Sequence, residues 1–286
     1  MNDQNLERLR ALARSAGYDP ADITSPPLTH ATGTVVRMRS TETSLIGKIH
    51  RSRTLHQREV SAYRDWTPHL ADATPRLLAV DTDLPGIVIT AVPGRPLDEL
   101  GLPQEAERAA FRQAGQFLRR LHQVPVTGHV PEITSYLAER AEHWITRTAA
   151  HLTRHDTQLV RHHMRRLMKI TTARVTACHL DFQPRNLLWH PGEGLLRLID
   201  FEHARIDLAA RDLVRMNTRH FTHRPDLKAA FFAGYGPLNE SDAAVLAHCT
   251  VLDGLTTLAY GHRNADPAFI HHGRALLSTL HQPTPR

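Results

Sequence analysis

The sequence predicts an α+β protein of two lobes: a small antiparallel-sheet lobe, then a larger and mainly helical one. Three features carry this prediction. Residues 34–90 alternate short β-prone runs with polar or Gly/Pro turns. After Val92-Pro-Gly94 the runs lengthen and their apolar residues adopt helical spacing. A β-hairpin over residues 187–199 then interrupts the helical half. The lobes therefore divide into residues 1–92 and 93–286.

Taken in order, Leu6-Glu-Arg-Leu-Arg-Ala-Leu-Ala-Arg14 has leucines at helical spacing and is stopped by Gly17-Tyr-Asp-Pro20. Strands follow over 34–39 and 44–50, joined by the polar turn Ser40-Thr-Glu-Thr43. A helix containing 57–65 comes next, then strands near 76–81 and 87–90 around the turn Asp81-Thr-Asp-Leu-Pro-Gly86. In the second lobe, 104–122 carries Phe111, Ala114, Phe117, Leu118 and Leu121 along one helical stripe. Residues 134–153 and 157–170 read as two further helices and 174–178 as a short strand. Beyond Asp212 the chain reads as helices broken at Gly234-Tyr-Gly-Pro237 and Asp266-Pro267.

The most informative stretch is Cys178-His-Leu-Asp-Phe-Gln-Pro-Arg-Asn186, followed by Leu198-Ile-Asp-Phe-Glu202. Pro184 keeps the first string out of a helix, because proline lacks an N–H and fixes its own φ. The apolar runs flanking His190-Pro-Gly-Glu-Gly194 then bring Asp200 back toward Asn186. An aspartate suits a base beside an attacking hydroxyl, and an asparagine with a second aspartate suits magnesium, which prefers oxygen donors. The pattern His-x-Asp-x-x-x-x-Asn then Asp-Phe-x is that of phosphoryl transfer, with Asp181 as catalytic residue and Asn186 and Asp200 as metal ligands. Loop turns and helix caps also favour aspartate, but they do not account for the whole string.

On these motifs the chain resembles the aminoglycoside phosphotransferase family, small-molecule kinases with a two-lobed, protein-kinase-like fold. Ser44-Leu-Ile-Gly-Lys48-Ile resembles the family's strand whose lysine contacts the α- and β-phosphates, and Arg58-Glu59-Val-Ser-Ala-Tyr63 its helix whose glutamate pairs with that lysine. Pro85-Gly-Ile-Val-Ile-Thr90-Ala-Val-Pro93-Gly is similar to the strand and hinge beside the adenine, which implies a nucleotide site including Thr90, Ala91 and Val92. Asp207-Leu-Ala-Ala-Arg-Asp212-Leu resembles the segment that braces the catalytic loop, and the resemblance gives His179 and Asp212 that supporting part. Leu180 stands where the family usually has glycine, and the segment 29–37 expected to cover the phosphates holds a single glycine, Gly33. The resemblance implies ATP or GTP as co-substrate and Mg²⁺ as cofactor.

Charge narrows the acceptor. The chain carries a net +6, yet only 6% of residues are aromatic and no basic stretch interleaves with them, so no nucleic-acid partner is expected. Between Pro125 and His179, where the family places acceptor-pocket helices, four acids (Glu132, Glu139, Glu142, Asp156) face eight basic residues. That favours a neutral or anionic hydroxylated small molecule over a polycation. The 21 histidines form no His-Glu-x-x-His string, and they read as surface residues. No run approaches the roughly 18 apolar residues of a membrane span, and the N-terminus lacks the apolar core of a signal peptide. Cys178 and Cys249 are too few for a disulfide scaffold, so a cytoplasmic setting without membrane contact is expected. The sequence thus points to an O-phosphotransferase acting on an antibiotic or secondary metabolite. A housekeeping kinase of a sugar or amino alcohol shares every motif, and a non-catalytic nucleotide-binding regulator is the remaining class.

Overall fold

A computed structural model describes residues 3–23, 28–29, 33–40, 43–127 and 132–279. In chain order the helices are α1 Asp3–Ser15, α2 Arg53–Ser61, α3 Gln104–Leu121, α4 Ile133–Arg147, α5 Arg154–Leu167, α6 Val214–Met216, α7 Pro225–Tyr235, α8 Glu240–Asn264 and α9 Pro267–Thr279. The strands are β1 Pro20–Ile23, β2 Leu28–Thr29, β3 Gly33–Ser40, β4 Ser44–His50, β5 Leu77–Asp81, β6 Gly86–Thr90, β7 Arg95–Pro96, β8 Val175–Cys178, β9 Leu187–His190, β10 Leu195–Leu198 and β11 Arg205–Leu208. The α+β class is as the sequence predicts. Contacts divide the chain into two compact units that interleave in sequence: residues 1–124, 179–205 and 230–235 form one, and residues 125–178, 206–229 and 236–286 the other. This partition by packing differs from the single cut after residue 92.

The first unit is built on an antiparallel sheet ordered β1-β3-β4-β6-β5, with β2 also paired to β3. Side chains alternate across a strand. On β4 this puts Leu45, Gly47 and Ile49 on one face and Ile46, Lys48 and His50 on the other. The first face meets α1: Leu9 and Ala13 bury fully against Val36, Met38, Leu45 and Val88. Gly47 permits that approach, since a Cβ there would lie 3.0 Å from Leu9 Cδ1. The second face meets α2, whose buried residues are His56, Glu59 and Val60. After Ser61 the helix widens into a π-turn over Ala62–Trp66, so the predicted helix at 57–65 changes form midway. A second, smaller sheet, β10-β9-β7, carries the hairpin that follows the 179–186 loop.

Gly33 begins β3 opposite His50, and a Cβ there would come within 2.4 Å of Ile49 O. The glycine expected to cradle phosphates is thus required by strand packing, while residues 30–32 of that loop lie outside the described residues, as do 41–42 of the next turn. In the same unit α3 crosses the end of α7 at two glycines. A Cβ on Gly115 would sit 2.0 Å from Phe231 O, and one on Gly234 would sit 2.0 Å from Arg112 O.

The second unit packs helices around one core. Ile133, Leu137, Ala141 and Ile145 recur every fourth residue on α4 and meet Val160, Met164 and Leu167 of α5 and Val245, Leu252 and Leu255 of α8. The helix predicted over 134–153 stops at Arg147, because Thr148 is buried at φ −110°, ψ 8°, and only a short turn over Ala149–His151 follows. Thr153 and Asp156 form a reciprocal capping box at the start of α5. Although α8 is long and apolar enough to span a bilayer by length and composition, half of its most apolar window is buried in this unit.

Two predictions follow from this packing. Gly115→Ala would raise intrinsic helix propensity by about 1 kcal/mol, yet the overpacking at Phe231 O is expected to win and destabilise the protein by roughly 1–3 kcal/mol in urea unfolding; a higher midpoint would contradict the crossing. Between α5 and α8, His163 Nδ1 lies 3.0 Å from His248 Nδ1. Burial first, then His248, His162 and Arg166, push the His163 pKa down to about 4. The folded state therefore holds a neutral ring, while the unfolded chain protonates near about 6.5. This stability is full above pH ~6.5 and is lost as pH falls toward ~4. Melting temperature measured from about pH 7.5 to 4.5 is expected to fall more steeply for wild type than for His163→Gln, and parallel profiles would count against the assignment.

Candidate active site

Nearly all the residues singled out from the sequence lie in the first unit. Lys48 is 6% exposed, which a lone ammonium would not tolerate. Its Nζ lies 2.9 Å from Glu59 Oε2 on α2, 2.5 Å from Asp200 Oδ1 and 3.0 Å from Glu202 Oε2. Burial works to strip the proton from Lys48, but Glu59, Asp200 and Glu202 outweigh it and hold its pKa well above the ordinary lysine value. Burial likewise opposes the charge on Glu59, and Lys48 and a hydrogen bond from His50 reverse that and lower its pKa. Asp200 follows the same logic, its pKa lowered chiefly by Lys48 against the effect of burial.

His50 stands two residues after Lys48 on the same face of β4. Its Nε2 bonds Glu59 Oε2, and its Nδ1 lies 3.2 Å from Pro85 O. Glu59 is thus gripped from two sides. Tyr63 is buried beneath the group and packs its ring on Phe201 at 5.4 Å between centroids.

The loop over residues 179–186 is held by a set of hydrogen bonds. Asp181, 1% exposed, accepts at Oδ1 from Gln183 Nε2 (2.6 Å) and at Oδ2 from Arg185 Nη2 (2.9 Å) and Asn186 Nδ2 (2.8 Å). Asn186 Nδ2 also donates to Asp181 O at 2.8 Å, so its amide nitrogen is committed to the loop. That leaves its side-chain oxygen as the atom that could accept a metal. The Ile199 peptide ties the loop to the next strand: its N–H donates to Asn186 O at 3.0 Å, and its carbonyl accepts from His179 Nε2 at 3.0 Å. His179 Nδ1 in turn accepts from Asp181 N at 3.2 Å. The imidazole therefore bridges the Asp181 N–H and the Ile199 carbonyl.

Two backbone conformations aim these groups. Leu180 has φ +60°, a left-handed conformation that glycine adopts without steric penalty. Leucine here holds a backbone angle that glycine would adopt at lower cost. Asp200 sits at φ 68°, ψ 66°, which aspartate tolerates better than most residues, and this turn swings Glu202 back toward Lys48.

The hard oxygen donors Asn186 and Asp200 suit Mg²⁺, and the Asp200 side chain keeps 31% exposure through which an ion could be reached. Glu202 Oε2 adds a third buried carboxylate oxygen, paired with Lys48 Nζ at 3.0 Å. Thr90, Ala91 and Val92 lie at and just past the end of β6. The Thr90 hydroxyl accepts from Arg76 N at 2.9 Å, and Ala91 N–H is spent on Ser44 O at 2.9 Å. Asp212 is buried in a turn of the second unit over Ala209–Leu213. Four contact residues were not singled out from the sequence: His50, Gln183, Arg185 and Glu202. The period-two face of β4 points to His50 once Lys48 is chosen, whereas Glu202 depends on the turn at Asp200.

A family model described as the phosphotransferase enzyme family (APH) matches residues 26–247. Similar solved structures include the GDP and kanamycin complex of APH(2")-IIia, at 17% identity and TM-score 0.72 over 94% of this chain and 97% of that one. The macrolide 2'-phosphotransferase MphH from Brachybacterium faecium, as apoenzyme, matches at 17% identity and TM-score 0.64 over 99% of this chain and 100% of its own. Spectinomycin phosphotransferase APH(9)-Ia, in complex with ADP and spectinomycin, matches at 13% identity and TM-score 0.62 over 97% and 94%. No curated protein sequence matches the chain. Structural likeness at such identities speaks for the fold alone, but the family match spans well over half the sequence and includes both catalytic strings, so this protein belongs to the phosphotransferase enzyme family.

Proposed function

We propose that the protein transfers the γ-phosphoryl group of ATP or GTP to a hydroxyl of a small molecule, an antibiotic or related secondary metabolite. The observation that carries this is the convergence, within one unit, of the Lys48–Glu59 pair and Asp200 with the Asp181–Asn186 loop. Solved relatives of the same fold bind GDP with kanamycin, or ADP with spectinomycin, which supports a nucleotide co-substrate.

Each residue takes a definite part. Asp181, held at both oxygens, orients the acceptor hydroxyl and receives its proton as the O–P bond forms. Lys48, kept charged and aimed by Glu59, draws on the α- and β-phosphates. Magnesium held by Asn186 and Asp200 would supply neutralisation of phosphate charge. His179 and the Ile199 peptide keep the loop and Asp200 in register, so the protein's work is positioning and electrostatics.

The acceptor remains neutral or anionic in this proposal. Of the four acids on the 125–179 segment, Glu142 is engaged by Arg161 in two 2.8 Å bonds, and Asp156 is 3% exposed and bonded to Arg274 at 2.9 Å. Two of the four carboxylates are therefore already neutralised by arginines of the same unit. This leaves little negative potential there for a polycation.

Mass spectrometry tests the proposal, with ATP and GTP against a panel of macrolides, nucleoside antibiotics, aminoglycosides and simple sugars or amino alcohols. A phosphate added to a neutral or anionic compound is expected, and phosphorylation of aminoglycosides alone would overturn the charge argument. Asp181→Asn is expected to lower that turnover by at least about 10²-fold while nucleotide affinity is kept. Retained turnover would remove Asp181 from catalysis.

A further inference from the structure

The three side chains that hold Asp181 differ in standing. Gln183 and Asn186 are buried, and they donate to Oδ1 and Oδ2 from inside the 179–186 loop. Both oxygens are therefore secured without Arg185. The Arg185 side chain is 57% exposed, and its Nη2 donates to Oδ2 at 2.9 Å. An arginine open to solvent is held only weakly by such a pair, because water screens it and its long side chain loses freedom. Holding Asp181 in place does not account for Arg185.

A guanidinium carries five N–H donors in a planar fork and stays charged at any ordinary pH. Among the described residues Asp181 is the one partner of Arg185, so most of that fork faces no acceptor. Lys48 is spent differently, enclosed by Glu59, Asp200 and Glu202. Arg185 thus brings a largely uncommitted positive charge to an oxygen of the base itself. An acceptor hydroxyl hydrogen-bonded to Asp181 would lie within about 8 Å of Arg185 Nη2, whichever carboxylate oxygen it meets. Rotation about the arginine side-chain bonds covers such a distance.

We propose that Arg185 is a catalytic residue that turns from Asp181 to the transferring phosphoryl group. This inference rests on the phosphotransferase reading and gives the γ-phosphoryl a side-chain partner that the reading leaves open. In the transfer, the acceptor oxygen bonds to the γ-phosphorus, and the bond from that phosphorus to the β,γ-bridging oxygen breaks. The bridging oxygen keeps the electron pair and leaves with the nucleoside diphosphate, while the acceptor's proton passes to Asp181. Proton transfer neutralises Asp181 and so dissolves its ion pair with Arg185. At that moment negative charge is spread over the phosphoryl oxygens nearby. Arginine matches such oxygens with two parallel N–H bonds, so its charge follows the charge that moves.

Binding of fluorescent N-methylanthraniloyl-ADP, and of its GDP counterpart, tests this on the full chain with MgCl₂ and needs no acceptor. Aluminium fluoride takes the place of the phosphoryl group in flight, so adding it is expected to tighten the diphosphate on wild type. Arg185→Gln is expected to lose at least about tenfold of that tightening. Its affinity for the diphosphate alone should stay unchanged, and Arg185→Lys should recover part of the loss. Wild-type tightening in Arg185→Gln would overturn the proposal. So would an equal loss of affinity with and without aluminium fluoride, which is the signature of a residue that only shapes the loop. If wild type binds a diphosphate but aluminium fluoride adds nothing, the Arg185 inference fails and the phosphotransferase reading stands. If neither diphosphate binds, that reading fails as well.

Discussion

A buried lysine cannot remain charged without carboxylates around it, and much of the first unit is arranged to supply them. Lys48 lies on β4 with β3 and β6 on either side, so its backbone is fixed by pairing at Val35 and Ile87. The sheet's other face is closed by α1. That leaves one direction for the side chain, toward α2 and the segment after β10. Glu59 answers from the helix, Asp200 and Glu202 from the segment. Because attraction grows as the dielectric falls, the same burial that opposes the charges strengthens each pairing.

The loop around Asp181 obeys a related constraint in hydrogen bonds. A buried aspartate with an unmet oxygen would be costly, and Asp181 has none: Gln183, Arg185 and Asn186 take both oxygens. Leu180 is held at positive φ in the middle of this set, a strain of order 1–3 kcal/mol that the surrounding bonds must offset. The Ile199 backbone, bonded to the Asn186 carbonyl and to the His179 ring, couples the loop to Asp200.

Much of this was legible in the sequence because the loop and hairpin are contiguous. Spacing along Cys178–Asn186 and Leu198–Glu202 becomes proximity once a tight hairpin joins them, and β9 and β10 do pair as expected. The Lys48–Glu59 pair joins a strand to a helix and was readable only through family resemblance. Glu202 escaped notice because its direction is set by the left-handed turn at Asp200, a backbone choice that residue type does not announce. The strands β1, β2, β7 and β11 were also missed. They are two to four residues long, two contain proline, and β7 and β11 pair with strands remote in sequence, β9 and β8. The interleaved units were hidden for the same reason: sequence patterns report local periodicity, whereas a unit is defined by packing between remote segments.

The central claim is that this negative cluster is built to receive a nucleotide together with a divalent cation. Titration calorimetry of ATP and GTP into wild-type protein, with MgCl₂ and then with EDTA, tests it most directly. The account predicts that at least one nucleotide binds more tightly with magnesium by at least about tenfold, roughly 1.4 kcal/mol. Equal affinity in EDTA, or no binding in either condition, would contradict it.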